Sequence, residues 1–136
     1  MTSGSPRWWP RTTLAAFYLF AGILHLIRPE PFLLIMPGWI PYPHAVVQLT
    51  GICEILGALG LLSGRLRRAA GWGLALYAVC VFPANIKHAI DGLPAGNLDL
   101  GWWYHAPRFA LQPVIVWWAL YSGGITGWPF QVRPER

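Results

Sequence analysis

Apolar residues in this chain gather into long unbroken runs, with little of the short polar alternation of a soluble helix or strand. The runs predict four membrane-spanning helices at about residues 12–28, 45–63, 69–89 and 107–122. Each approaches the roughly 20 apolar residues that a helix rising 1.5 Å per residue needs to cross a hydrocarbon core of about 30 Å. Between the first two, PEPFLLIMPGWIPYP holds five prolines around a short apolar run. That is too short to cross and too rich in proline for a regular helix, which predicts a segment lying in the interface or dipping in as a lid. The predicted fold is all-α membrane. It is a four-transmembrane antiparallel helix bundle over residues 12–123, with a short interfacial or re-entrant segment between helices 1 and 2 and tails at 1–11 and 124–136.

The polar exceptions inside the runs are where chemistry is expected. Glu54 stands close to the middle of the second span. A carboxylate at bilayer centre costs roughly 3 kcal/mol on insertion scales, and such groups face a bundle interior where they pair, take up a proton or bind something. Gly51, Glu54, Ala58 and Leu61 share one face by helical spacing, and the glycines of this span allow close helix approach. Pro83, within VFPANIKHAI, is expected to kink the third span and set Asn85, Lys87 and His88 around the bundle mouth. Arg108 and Gln112 are four residues apart, on one face of the fourth span. The predicted ligand-binding set is Glu54, His25, Arg108, Gln112, Asn85 and Lys87, with Arg108 or Lys87 as the cation for Glu54. No catalytic residue is assigned.

Composition agrees with membrane residence: 55% of the residues are hydrophobic and 11% charged, against about 25% charged in soluble domains. The net charge of +5 comes from nine arginines and one lysine beside the spans, a pattern that points to orientation in a bilayer and not to nucleic acid. Arg7, Arg11, Arg65, Arg67, Arg68, Arg133 and Arg136 fall on one side, and Arg28, Lys87 and Arg108 on the other. The positive-inside rule then puts both termini in the cytoplasm. Residues 12–27 lack a small-x-small cleavage site and read as a retained span, not a signal peptide. Cys53 and Cys80 form no CxxC pair and are expected as small buried residues near mid-depth. His25, Glu54, His88 and His105 are usable metal ligands, but no HxxxH or ExxH pair holds two on one helical face, so no metal is expected. Trp117 and Trp118 face different directions and read as lipid or packing contacts. Neither a nucleophile elbow nor a nucleotide loop is present.

AGILHLIRPEPFLLIMPGWIPYP, the TGICEILGALGLL helix with its arginine turn, VFPANIKHAI and RFALQPVIVWWAL together resemble the DoxX-like family of small four-helix bacterial membrane proteins. The likeness runs from about Leu14 to Tyr121, through His25, Pro29, Pro37, Pro41, Gly51, Glu54, Gly57, Pro83, Asn85, Arg108 and Gln112. The resemblance implies a multi-pass bundle in the bacterial cytoplasmic (inner) membrane. The family name comes from a subunit of a thiosulfate:quinone oxidoreductase, and related proteins are linked to thiol and oxidative-stress handling or to assembly of membrane proteins. Two functions follow. A small amphipathic ligand, with a quinone as the candidate cofactor, enters between the helices and meets the polar set. Alternatively, the chain is a non-enzymatic accessory or assembly factor for a partner membrane complex, with a homodimer as a further arrangement.

Overall fold

The structure is a computed structural model that describes residues 7–91 and 101–129. Residues 92–100, within the stretch 91–101 that the sequence predicts as a loop, residues 1–6 of the first tail and residues 130–136 with Arg133 and Arg136 lie outside the described residues. Among the described residues six helices follow one another: α1 (Trp8–Ile27), α2 (Glu30–Leu34), α3 (Pro43–Leu62), α4 (Arg67–Cys80), α5 (Phe82–Asp91) and α6 (Trp102–Ser122). Among the described residues three segments are long and apolar enough to cross a membrane: Trp8–Ile27, Pro43–Leu62 and the α4–α5 stretch Arg67–Asp91.

The second of these shows why the sequence folds this way. Val47, Gly51, Glu54, Ala58 and Leu61 are buried, while Leu49, Ile52, Leu56, Leu59 and Leu62 are exposed. Both stripes advance in steps of three and four, so one face of α3 is narrow and turned inward and the other is a leucine-rich outer wall. In water such a wall would be a liability; against acyl chains it costs nothing. Phe17, Phe20, Ile23 and Ile27 give α1 the same outer character, as Trp72, Leu76 and Val79 do for α4.

Glycine sets the spacing at the main helix crossing. A β-carbon on Gly22 would stand 2.6 Å from the Gly51 carbonyl oxygen, and one on Gly51 would stand 2.8 Å from the His25 β-carbon. α1 and α3 therefore touch backbone to backbone, one turn from the predicted site residues. Leu14, Ala15, Tyr18, Ala58, Leu61, Leu74, Ala75 and Ala119 form the apolar core. The start of α1 and the end of α6 meet, where Arg11 Nε donates to the Ser122 carbonyl at 3.0 Å and Trp118 Nε1 to the Pro10 carbonyl at 2.9 Å.

Several expectations need correction. Residues 8–11 belong to α1 and not to a tail, since Pro10 sits in the first turn, where a missing N–H breaks no helical bond. The proline-rich linker contains the short helix α2 for the same reason, with Pro31 in its first turn. α6 begins at Trp102, before the predicted 107, and runs through Pro107 and Pro113. Beyond it residues 124–129 turn back along α6, where Trp117 Nε1 donates to the Trp128 carbonyl at 2.8 Å. Cys53 and Cys80 are exposed, not buried. Cys53 precedes Glu54 and so points about 100° around the helix from the inward stripe, onto a wall where a thiol is as well accommodated as a methyl group.

Candidate functional site

A cavity of about 220 Å³ opens among α1, α2, α3, α4, α5 and α6. The apolar core adjoins it on the side where the start of α1 meets the end of α6: the core takes Leu14, Ala15, Ala58, Leu61 and Ala119, the cavity His25, Glu54, Arg108 and Gln112, and Tyr18 belongs to both. One wall carries His25, Glu54 and Tyr77, the facing wall carries Asn85, Arg108 and Gln112, and Phe17, Tyr18 and Phe32 supply apolar ring surface.

Glu54 is 4% exposed. Its Oε1 accepts the Tyr77 hydroxyl at 2.7 Å. Its Oε2 lies 2.9 Å from His25 Nδ1, but that nitrogen is also 2.8 Å from the Ala21 carbonyl oxygen one helical turn back. An imidazole nitrogen facing two acceptors must carry its proton. That proton is directed at Ala21, which leaves Oε2 buried with no donor aimed at it. The His25 ring is stacked on Phe32 of α2, centroids 3.7 Å apart, so the short helix holds the imidazole from above. Tyr18 packs edge-on against Tyr77 at 6.1 Å and fixes the phenol that serves Glu54.

The second wall is a network of fixed polarity. Arg108 Nη2 donates to Asn85 Oδ1 at 2.5 Å, and Nη1 meets His88 Nδ1 at 2.8 Å. A guanidinium only donates, so His88 Nδ1 is the acceptor there. Asn85 Nδ2 donates to Gln112 Oε1 at 3.1 Å, and Gln112 Nε2 to the Ala78 carbonyl. That carbonyl belongs to the last turn of α4, where backbone acceptors run out of helical partners, and the break before Pro83 is what presents it to α6. The ring of Tyr104 lies under the Arg108 guanidinium, 4.9 Å from its centroid.

Five of the six predicted site residues thus line one cavity: Glu54, His25, Asn85, Arg108 and Gln112. Lys87 does not. It pairs with Asp91 on α5 and reaches the Leu34 carbonyl, beside a separate surface groove. The predicted cation for Glu54 is replaced by a tyrosine hydroxyl and an imidazole, and Arg108 is held by neutral groups on the other wall. Tyr77 and Phe32 were not foreseen. Tyr77 has a sequence signal, since it brings a hydroxyl into the middle of an apolar span and such a group needs a partner. Phe32 has none, because its role depends on how the linker folds. Among the described residues, no cluster of three or more His, Cys, Asp and Glu is placed to hold a metal ion.

The chain belongs to the family described as domain of unknown function DUF8561, whose model matches residues 14–122. That segment includes every residue lining the cavity. No curated protein and no solved structure matches the chain.

Proposed function

We propose that this DUF8561 protein is a DoxX-like, four-span bundle of the bacterial cytoplasmic membrane whose cavity binds a small amphipathic molecule of the quinone class. α6 is the fourth span in this reading: its 21 residues reach about 31 Å at 1.5 Å each. Its polar residues are accounted for locally, with Trp102 and Trp103 as an interfacial belt and Arg108 and Gln112 turned to the cavity. The contact between the start of α1 and the end of α6 supports both termini on one side, and the arginines of that end make it the cytoplasmic one.

The observation that carries the ligand reading is Glu54 Oε2, a carboxyl oxygen shut from solvent, without a donor, on the wall of a cavity. Leaving such an atom unserved costs about 1–3 kcal/mol, which a ligand donor at the site recovers. A headgroup of the quinone class fits the residues present in its reduced, quinol form, whose hydroxyl can donate to Oε2. The volume is below the roughly 300–1,000 Å³ of pockets for drug-sized ligands, which suits one ring with its tail among the lipids. Aromatic walls suit the ring faces, and hydrogen-bonding groups stand on opposite walls for oxygens at opposite ring edges. The bound group would supply two-electron, two-proton chemistry. The chain supplies orientation, with Arg108 and Gln112 donating at one edge and Glu54 and His25 holding or receiving a proton at the other.

The test is saturable quenching of tryptophan fluorescence by a short-tailed ubiquinol analogue, kept reduced, in detergent. Glu54→Gln is expected to bind about ten-fold more weakly or worse, the loss of one hydrogen bond to a charged group, with unfolding temperature little changed. Equal binding by parent and variant would remove the proposal.

A further inference from the structure

At the end of the bundle opposite the cavity, Arg7, Arg11 and Arg67 converge from the start of α1 and the start of α4 onto the last turn of α6. Arg11 Nε holds the Ser122 carbonyl at 3.0 Å, and the Arg7 guanidinium lies over the Tyr121 ring at 4.8 Å. Arg67 reaches the same turn through its backbone, since a β-carbon on Gly123 would stand 2.9 Å from its carbonyl oxygen. Arg7 and Arg67 are both near enough to Arg11 to repel it. The carboxylates among the described residues are Glu30, Glu54 and Asp91, and none is here: Glu30 lies in α2, Glu54 faces the cavity and Asp91 pairs with Lys87. α4 adds its own positive end, with neither an acid in its first turn nor a side-chain cap. Arg67 Nε, moreover, is buried with no acceptor among the described residues.

Arginines at a membrane edge ordinarily splay their heads into water, and the exposed Arg65 and Arg68 do so. Three that crowd together against their own repulsion, one with a buried donor unserved, are arranged for an anion. The partial negative charge at the end of α6, about half an elementary charge, is too small to balance them, and Arg11 already takes one of its carbonyls.

We infer that this cluster binds a phosphate-bearing anion, and that a lipid phosphate is its source, because the cluster sits where the first and third apolar segments begin. The site is separate from the cavity, so either can stand without the other.

The test uses the full chain in detergent, titrated with phosphatidylglycerol or phosphatidylcholine and read by native mass spectrometry. The parent is expected to retain phosphatidylglycerol in preference to phosphatidylcholine. The double variant Arg7→Gln/Arg67→Gln, which leaves the Arg11 bond to Ser122 intact, is expected to bind phosphatidylglycerol on the order of thirty-fold more weakly. Inorganic phosphate at millimolar concentration separates the sources. If it leaves the lipid in place, the lipid source stands; if it displaces the lipid and raises the parent's unfolding temperature but not the variant's, the anion site stands and the lipid source falls. A double variant that folds and binds phosphatidylglycerol like the parent, or a parent that does not distinguish the two lipids, overturns the inference.

Discussion

Glu54 is served unevenly, and that asymmetry is the basis of the account at the scale of single residues. Oε1 has the Tyr77 hydroxyl; Oε2 has a neighbouring imidazole whose proton is directed elsewhere. Tyr77→Phe removes the one donor aimed at the carboxyl and is expected to cost about 1–3 kcal/mol in reversible unfolding. The same substitution in a Glu54→Gln background should cost at least about 0.5 kcal/mol less, because the two groups share one bond. Strictly additive losses would show that the hydroxyl serves something else. Cysteine is the contrasting case. Cys53 and Cys80 sit on the outer wall, so in intact vesicles a charged, impermeant maleimide is expected to label neither, because a thiol in hydrocarbon forms no thiolate, while both are labelled once the protein is denatured in detergent. Labelling by the impermeant reagent would place these helices outside the bilayer.

At the scale of elements, glycine contacts decide how closely α1 and α3 approach. Gly22→Ala pushes a methyl into the Gly51 backbone, which cannot rotate aside, and is expected to destabilise by about 1–3 kcal/mol and to draw His25 away from Glu54. Gly73→Ala is the control: it has open space around it and should leave stability unchanged or slightly raised. Equal effects from the two would mean that the crossing is looser than its geometry. The stripe Gly51, Glu54, Ala58 and Leu61 was readable from spacing alone, because a helix with one face against other helices and the other turned outward sorts residues by size and polarity. So was the i, i+4 pair Arg108 and Gln112, both of which line the cavity. What spacing could not supply was the partner of each. Lys87 is on the same short helix as Asn85 but two residues later, about 200° round it, and so it points to a different surface. The Phe32 stack was equally hidden, since prolines that argue against a long helix still permit one turn.

Over the whole molecule, an apolar layer divides a polar cavity from a basic end. Leu14 and Leu61, both 0% exposed, belong to that layer. This division suits a protein that receives an amphipathic molecule from one leaflet and is anchored electrostatically at the other, the reading proposed above. The central claim is that the ligand sits between the helices beside Glu54 and not on the outer wall. The most direct measurement is photo-crosslinking of a short-tailed azidoquinone to the protein in vesicles, followed by peptide mapping. The account predicts adducts on cavity residues of the stretches 17–35, 77–85 and 108–115, competed by unmodified quinone and diminished in Glu54→Gln. Adducts confined to the outer groove at Val114, Trp117 and Trp128, and indifferent to that substitution, would contradict it.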